Sequence, residues 1–449
     1  MVWNWKSKNK LAWRALKNHF RDLPLEDLVT AGRSFPVTAR VDLHAALVRI
    51  FDSRYPTRLL GFHSMYSHET LTLAHLLDAD NSRVLIAPLQ YDEVDMGAGT
   101  PARCLKYGLW LTQADDMPFV VLLAPAERYG RTSGTFLEVG VPPGERGLDL
   151  SRSFFDETER LINEAASYRG KVISLEQSDH YGGTAGAVKV HKLRSVVREE
   201  VVLPETTLQL LERNVTGFIE QREQLRAVGM SLKKGLLFYG PPGTGKTHTV
   251  HYLASQLPNH TTLLITAEQV GLLNEYFQLA RFLQPALVVV EDVDLIARDR
   301  QSMRSACEES LLNRLLNEMD GLREEAAILF ILTTNRPDQL EAALASRPGR
   351  VDQAIEFPLP DDEGRRKLIA LYSRGVILPD EIINPLVRKT KGASAAFIKE
   401  LMRRSAQYMM RTPNQKKLQL TNVEAALDEM LFSGGSLNRK LLGGNLESN

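Results

Sequence analysis

The residues with the clearest chemical signature are the eight from Gly240 to Thr247, which read Gly-Pro-Pro-Gly-Thr-Gly-Lys-Thr. They match the phosphate-binding pattern Gly-x-x-x-x-Gly-Lys-Ser/Thr at every defined position. In such a loop, backbone N–H groups turn inward around phosphate oxygens. Lys246 would reach the β- and γ-phosphates, and the Thr247 hydroxyl would bind Mg²⁺. We therefore expect a nucleoside triphosphate to contact Gly240, Pro241, Pro242, Gly243, Thr244, Gly245, Lys246, Thr247 and His248.

The segments on either side of this loop can position it. The short apolar run 235–239 is typical of a buried parallel strand. Residues 247–257 predict a helix that Pro258 ends. A helix that starts at the loop points the positive end of its dipole at the phosphates. The context on both sides thus favours a genuine nucleotide site over a chance glycine-rich turn.

Two carboxylates follow the loop by about 45 residues, at the end of another apolar run. This run, 286–290, leads into Glu291, Asp292, Val293 and Asp294, which is the Walker B pattern. A buried strand would deliver the acids beside Mg²⁺ and the attacking water. Because adjacent residues on a strand point in opposite directions, Glu291 and Asp292 should differ in role. One would hold the metal and the other would polarise the water.

Two further polar segments lie downstream. The apolar run 327–332 ends in Thr333, Thr334 and Asn335, and a polar residue there could hydrogen-bond the γ-phosphate or the water. Residues 346–352 read Ser-Arg-Pro-Gly-Arg-Val-Asp, in which Pro and Gly make a turn and both guanidinium groups project from it. By itself, this second segment is typical of a solvated turn.

The overall composition limits the possible classes of protein. The 449 residues include 55 Lys and Arg and 55 Asp and Glu, so net charge gives no reason to expect nucleic acid or an anionic membrane. Cys104 and Cys307 lie far apart, which argues against a disulfide framework and fits a reducing compartment. No apolar run has the length of a transmembrane helix, and no signal-peptide core is present. These features predict a cytoplasmic protein.

The first 200 residues contain no catalytic pattern. Residues 1–21 carry six basic residues and no acid, with apolar residues at helical spacing. Such a helix could lie on a membrane or touch nucleic acid, but more often it docks its apolar stripe on its own domain. Beyond it, the helical pattern at 41–51 and the strand-like runs at 118–124 and 135–141 predict a separate α/β region.

Taken together, the motifs resemble those of AAA ATPases in order and spacing. The resemblance covers roughly residues 200–432 and includes residues 390–401, which are similar to the Gly-x-Ser-Gly-Ala-Asp motif of the family's lid domain. It implies Mg·ATP hydrolysis by a P-loop core with a parallel sheet and a helical lid. It also implies a ring of identical subunits, usually a hexamer.

The resemblance further assigns a role to each matched position. Glu291 takes the metal-binding position together with Thr247, and Asp292 takes the position of the base. Asn335 matches the residue called sensor 1. Arg347 matches the primary arginine finger and Arg350 the second one, so both would act on the site of a neighbouring subunit.

The chain departs from the usual family pattern in three places. One is that no zinc-protease motif follows the lid, which argues against a membrane-bound AAA metalloprotease. Glu291-Asp292 replaces the usual Asp-Glu, and this order resembles the AAA subgroup that contains the mitochondrial Rieske-protein translocase, although this chain lacks that subgroup's membrane helix. The segment 266–285 is shorter than in members that thread a polypeptide through their pore. Its nearest aromatic residues, Tyr276 and Phe277, are predicted to be core residues of a helix.

These interpretations predict four parts and one leading function. The parts are an α/β recognition region at 1–200, the large ATPase domain at 201–359, a helical lid at 360–434 and a flexible tail at 435–449. The leading function is that of a bacterial-like, oligomeric ATPase that remodels a protein client of unknown identity. The alternative is an ATP-gated assembly scaffold that does not thread its substrate. Nucleic acid is the weakest of the partners considered, because only the basic first 21 residues favour it.

Overall fold

The structure is a computed structural model that describes residues 11–21, 23–64, 69–77, 84–97, 99–128, 131–177, 185–298, 309–338, 351–412 and 416–433. The chain divides into two compact units. The first comprises Met1–Arg169 and Ile173–His191, and the second comprises Gly170–Val172 and Lys192–Asn449. Within the described residues, no helix combines the length and the apolar character that a membrane crossing requires.

The first unit is built on a mostly antiparallel sheet. Strands follow the order β1-β7-β6-β5-β2-β3, and β4 pairs with β5. The strands of this sheet are β1 (Val29–Pro36), β2 (Thr57–Ser64), β3 (Val84–Ala87), β4 (Gln90–Val94), β5 (Ala102–Ala114), β6 (Met117–Arg128) and β7 (Arg131–Val141). Two further strands, β8 (Val172–Gln177) and β9 (Ala185–His191), follow in the chain and lie outside this sheet. Its helices are α1 (Ala12–Phe20), α2 (Arg40–Ser53), α3 (Leu73–Leu77) and α4 (Glu145–Ala165). The helix and the two strands predicted from periodicity are all present and extend beyond the predicted bounds.

The basic helix α1 docks on its own unit. It buries Ala12, Leu16 and Phe20 in a hydrophobic cluster with residues of β5 and β6. His19 adds a polar attachment, because its Nε2 lies 3.0 Å from the carbonyl oxygen of Thr112 and 3.1 Å from that of Phe119. Two carbonyls can only accept, so this nitrogen carries the hydrogen. For residues 11–21, the docking interpretation of the basic segment is confirmed.

The second unit contains a parallel sheet with the order β14-β10-β13-β12-β11, in which every neighbouring pair is parallel. Its strands are β10 (Lys234–Tyr239), β11 (Thr261–Ile265), β12 (Ala286–Val290), β13 (Ile328–Thr334) and β14 (Gln353–Glu356). Its first helices are α5 (Glu205–Leu211), α6 (Phe218–Glu220), α7 (Arg222–Ala227), α8 (Lys246–Gln256), α9 (Leu273–Phe282), α10 (Val293–Arg298) and α11 (Glu309–Asp320). Every residue of β12 and β13 is buried, which explains why β12 and residues 328–332 of β13 are continuous apolar runs rather than alternating ones.

One predicted helix is interrupted. The sequence predicts a continuous helix from Val215 to about Val228, but a π-helical turn at Glu212–Gly217 is followed by the short α6 and α7. The break falls at Gln221, whose φ of −86° and ψ of 0° depart from helical values. The next side chain, Arg222, is buried and lies 3.1 Å from His260 Nε2. The inward turn of Arg222 accompanies the interruption of the helix.

A helical subdomain follows the sheet and has its own core. It consists of α12 (Asp362–Tyr372), α13 (Asp380–Lys389), α14 (Ala395–Met410) and α15 (Leu420–Asp428). Helices α12 and α14 have side-chain N-caps: Asp361 accepts from the Gly364 N–H at 2.7 Å, and Ser394 Oγ accepts from the Phe397 N–H at 3.2 Å. Their apolar faces form one cluster around the fully buried Phe397. We call this subdomain the lid.

Candidate nucleotide-binding site

The phosphate loop connects β10 to α8, as its sequence predicts. Gly240, Gly243 and Gly245 have φ values of +147°, +75° and +103°, a region that residues with side chains rarely adopt. At Gly240 a side chain is also excluded by packing, because a Cβ there would lie 2.2 Å from the carbonyl oxygen of Phe357. The glycines therefore set a backbone path that other residues could not follow at low cost.

Lys246 is buried at the start of α8 with only 6% of its surface exposed. Its Nζ donates hydrogen bonds to the carbonyls of Gly240 at 2.7 Å and Pro241 at 3.0 Å. Burial lowers the pKa of Lys246 to about 8, although the charges of Asp292 and Asp294 oppose this shift. The ammonium group is thus held by neutral carbonyls at a cost in solvation, and a phosphate would supply the negative charge it lacks.

A cleft of about 420 Å³ opens beside the loop. Its lining is polar along the loop and at Asp292, Thr333 and Asn335. Asp292 follows β12, and Thr333 and Asn335 lie at the end of β13. Apolar side chains complete it, and these are Val201, Val202, Leu203, Leu368 and Tyr372. Such a mixture suits a ligand with a charged phosphate part and a flat, less polar part.

The lid contacts the phosphate loop directly. The N–H of Ala396, in the first turn of α14, donates to the carbonyl of Gly243 at 3.1 Å. A Cβ on Gly243 would lie 2.9 Å from both Ser394 Oγ and Ala396 Cβ, so the two surfaces touch. On the other side of the loop, His248 Nε2 lies 3.2 Å from the carbonyl oxygen of Glu200. Burial lowers the pKa of His248, which favours a neutral ring that donates this hydrogen bond.

The two adjacent acids are not placed by strand alternation. Strand β12 ends at Val290, so Glu291 and Asp292 lie beyond it, and Asp292 has a positive φ of +50°. Strand alternation therefore does not set the directions of these two side chains in the way that the sequence predicted, although the two carboxylates do differ in surroundings. Glu291 Oε1 is buried and has no hydrogen-bond partner among the described residues. Asp292 Oδ1 accepts a hydrogen bond from Asn335 Nδ2 at 2.9 Å.

Several hydrogen bonds join the ends of β12 and β13. The N–H of Asp292 donates to Thr333 Oγ1 at 3.0 Å. Asp294 is almost fully buried, and its Oδ1 accepts from the Thr334 hydroxyl at 2.9 Å and from the Asn335 N–H at 3.0 Å. Sequence reasoning did not assign roles to Thr333 and Asp294. Their positions within the same short motifs as Asn335 and Asp292 were the available signal.

The donor set fits Mg²⁺. Glu291 Oε1 is buried without a hydrogen-bond partner among the described residues, which is unusual for a carboxylate oxygen. Glu291 is not among the residues that line the cleft, whereas Asp292 is. Carboxylate and hydroxyl oxygens, such as those of Glu291 and Thr247, are the hard ligands that Mg²⁺ prefers. In the described part of the chain there is no cluster of three or more His, Cys, Asp or Glu side chains that could hold a metal. Mg²⁺ needs none, because it keeps several waters and shares the phosphates of its substrate.

Arg347 and Arg350 lie outside the described residues. The described chain resumes at residue 351, and Asp352 is anchored at the beginning of β10. Its N–H donates to the carbonyl of Gly235 at 2.8 Å, and its Oδ2 accepts from the Gly235 N–H at 2.7 Å. The segment after the two arginines therefore starts at the end of β10 that lies opposite the phosphate loop.

The aromatic residues near the expected pore segment belong to the core, as predicted. Tyr276 and Phe277 are both fully buried on α9. The Tyr276 hydroxyl donates to the carbonyl of Leu264 at 3.0 Å, and the Phe277 ring stacks on Phe330 with centroids 5.5 Å apart. Neither side chain is available to grip a polypeptide.

Comparison with known proteins agrees with this geometry. Residues 236–359 match the family model described as AAA, the ATPase family associated with various cellular activities. The proteasome-activating nucleotidase of Methanothermobacter thermautotrophicus is 31% identical over 237 residues, which cover 50% of this chain and 57% of that protein. The ATP-dependent zinc metalloprotease FtsH 3 of Synechocystis sp. is 28% identical over 276 residues, which cover 59% of this chain and 44% of that protein.

A third relative gives the same result. The cell division cycle protein 48 homolog of Archaeoglobus fulgidus is 29% identical over 225 residues, which cover 48% of this chain and 31% of that protein. The chain thus spans between 31% and 57% of the length of these three relatives. None of the three is a Rieske-protein translocase, so that finer resemblance stays a prediction.

Proposed function

We propose that this chain, which carries an AAA ATPase domain, binds Mg·ATP in the cleft beside the phosphate loop and hydrolyses it to ADP and phosphate. The observation that carries this proposal is the meeting of three kinds of group at one cleft. The phosphate loop with Lys246, the carboxylate of Asp292 and the amide of Asn335 all line it. A nucleotide site that only bound its ligand would not need a carboxylate and an amide hydrogen-bonded to each other beside it.

The described contacts support roles for Lys246, Asp292 and Asn335, and the family resemblance assigns roles to Thr247 and Glu291. Lys246 and the loop N–H groups would bind the phosphates, and Thr247 and Glu291 would hold Mg²⁺, which would supply positive charge to the phosphate oxygens. The oxygen of a water molecule attacks the γ-phosphorus, and the bond to the β–γ bridging oxygen breaks. Asp292 takes the proton that this water releases. Asn335 holds one carboxylate oxygen, which leaves the other free to face the water.

Action of Arg347 and Arg350 between subunits is proposed from the family resemblance. Strand β10 has six residues, which span about 20 Å, and Asp352 is anchored at the end of β10 opposite the phosphate loop. We propose that Arg347 and Arg350 complete the site of a neighbouring copy of the chain, in a ring that the family resemblance implies to be a hexamer. Arginine fingers of this kind accelerate phosphoryl transfer by about 10³- to 10⁵-fold.

We propose that the free energy of ATP hydrolysis is used to remodel a protein client. The relatives include a nucleotidase named for activating a proteasome and an ATP-dependent protease, and both names describe work on proteins. The first unit, with its separate sheet, is the proposed recognition region for the client.

The burial of Tyr276 and Phe277 favours a second candidate function, an ATP-gated scaffold that does not thread its substrate. The two functions differ in a direct assay. A remodelling motor should unfold a tagged, folded client in the presence of ATP, whereas a scaffold should change only its own assembly state. Rapid unfolding of the client would reject the scaffold.

The proposal is tested first by Asp292→Asn. Asparagine keeps the shape of the side chain and tolerates a positive φ, but it cannot accept the proton. We expect kcat for ATP hydrolysis to fall at least about 100-fold while ATP binding persists. Asp428→Asn, which changes an exposed acid in the lid, is the control and should hydrolyse ATP normally. Hydrolysis by Asp292→Asn at the wild-type rate would show that the proposed mechanism is wrong.

Action between subunits is tested by co-expression of two inactive variants. Arg347→Ala and Asp292→Asn should each be inactive alone. In a mixed assembly, some sites would combine an intact Asp292 with an intact Arg347 from the neighbour, so activity should partly return. Complete inactivity of the mixed assembly, with mixing shown by differently tagged subunits, would argue for action within one chain.

A further inference from the structure

The backbone at Asp292 is in an unusual conformation for a residue with a side chain. Its φ of +50° is one of five positive values at non-glycine residues in the described chain, and the other four lie in the first unit. The left-handed region is unfavourable for most residues, while Asp and Asn tolerate it best because their short polar side chains bond locally. Backbone strain of this kind persists where the surroundings enforce it.

The end of β13 provides that enforcement. Thr333 is 1% exposed, and its Oγ1 accepts the hydrogen bond from the Asp292 N–H at 3.0 Å. Two residues later on the same segment, Asn335 Nδ2 holds the Asp292 carboxylate at 2.9 Å. Asp292 is therefore held at its backbone by one residue and at its side chain by another, and both belong to the same stretch of chain.

We infer that Thr333 is a positioning residue for ATP hydrolysis, which acts by fixing the left-handed backbone of Asp292 so that a short carboxylate reaches the attacking water. This inference rests on the proposed function and deepens it. An aspartate has one methylene group fewer than a glutamate and so has less freedom to correct an error in its backbone position. The placement of its Cα, which the Thr333 hydrogen bond helps to set, therefore decides where the carboxylate lies.

The geometry also accounts for the Glu291-Asp292 order of the chain. A left-handed backbone suits aspartate at position 292 better than the longer glutamate. Glu291, whose buried Oε1 has no hydrogen-bond partner among the described residues, is the acid that the proposed function assigns to the metal. The Thr333 hydroxyl and the choice of aspartate at position 292 thus depend on each other, because the hydroxyl holds the left-handed backbone that aspartate tolerates.

The test compares Thr333→Val with Thr333→Ser in the full chain. Valine matches the shape of threonine at this buried strand position but cannot accept the hydrogen bond, whereas serine can. We expect Thr333→Val to lower kcat about tenfold with KM for ATP within about twofold of wild type, because a tenfold change corresponds to about 1.4 kcal/mol, which one hydrogen bond can contribute. Thr333→Ser should retain at least half of the wild-type kcat.

A matched control is available on β11. Thr262 is also fully buried in the same sheet, and its hydroxyl has no hydrogen-bond partner among the described residues. Thr262→Val should leave kcat and KM within about twofold of wild type. A large loss of activity in this control would mean that any buried threonine in the sheet matters, and the specific role of Thr333 would be rejected.

A double variant distinguishes positioning from a merely structural effect. If Thr333 acts through Asp292, adding Thr333→Val to Asp292→Asn should slow the residual hydrolysis by less than twofold. A full tenfold further loss would overturn the inference, as would a Thr333→Val protein with wild-type kcat. In that last case, an inactive Asp292→Asn protein would still uphold the proposed function, whereas an active one would reject the function itself.

Discussion

Replacement of Lys246 by methionine should raise the stability of the protein without nucleotide and lower it, relative to wild type, when ATP is present. In the structure the ammonium group is buried and held by two carbonyls, which do not neutralise its charge. Methionine has a similar length and needs no solvation. We therefore expect Lys246→Met to make the nucleotide-free protein slightly more stable and to abolish its stabilisation by ATP.

The magnitude follows from the pKa. The fall from 10.5 to about 8 means that the charged lysine is disfavoured by about 3 kcal/mol relative to water. Loss of two hydrogen bonds offsets about 2 kcal/mol of this gain. The net expectation is a free energy of unfolding higher by about 1 kcal/mol. ATP at about 100 times its Kd should stabilise the wild type by about 2.7 kcal/mol and the variant not at all.

The measurement is thermal or urea unfolding of both proteins with and without Mg·ATP. Lys234→Met is the control, because burial also lowers the pKa of Lys234 but this residue begins β10 at the end opposite the phosphate loop. It should keep the full response to ATP. A Lys246→Met protein that is less stable than wild type by more than about 1 kcal/mol without nucleotide would refute the reasoning, and so would one that ATP still stabilises.

Two other predictions concern the same domain. Arg222 can only donate, so His260 Nε2 must be unprotonated, and burial and the Arg222 charge lower the pKa of His260 to about 4. Below pH 6.5 the unfolded chain binds a proton at His260 that the folded chain does not, so the free energy of unfolding should fall by about 2 kcal/mol from pH 7 to pH 5. In urea unfolding, the stability of His260→Gln should depend less on pH than that of the wild type. An equal pH dependence in the two proteins would contradict the low pKa of His260. Gly243→Ala should weaken ATP binding about tenfold or more in a fluorescent-nucleotide titration, because its Cβ would press against the lid. Gly375 also has a positive φ, of +95°, but a Cβ there would have no neighbour within 4 Å, so Gly375→Ala is the control and should keep the wild-type affinity for ATP. Equal weakening of ATP binding in both variants would exclude the lid contact as the cause.

Most of the second unit could be anticipated from its sequence. Continuous apolar runs predicted the buried strands β10, β12 and β13, because a parallel strand covered on both faces needs no polar alternation. The glycines of the phosphate loop could be recognised because their conformations exclude most other residues. The interruption at Gln221 could not be anticipated, because it accompanies the burial of Arg222 next to His260, which is distant in sequence.

In the candidate site, too, the sequence predicts the residue types, and the tertiary structure decides their contacts. The residue types at 246, 291, 292 and 335 are sufficient to indicate phosphate binding and metal-assisted hydrolysis. They do not indicate which oxygen meets which donor. Strand periodicity gave the wrong reason for the different surroundings of Glu291 and Asp292, because the strand ends before them and Asp292 adopts a left-handed backbone.

By itself, the sequence was sufficient to predict the proposed chemistry, since the phosphate loop and the acidic motif use local backbone rules and short-range spacing. Only the tertiary structure decided how these groups are held. The contact between Gly243 and the lid joins segments about 150 residues apart, and the bonds of Asp292 to Thr333 and Asn335 join adjacent strands that are more than 40 residues apart. Such pairings depend on how the sheet and lid pack, which local patterns do not encode.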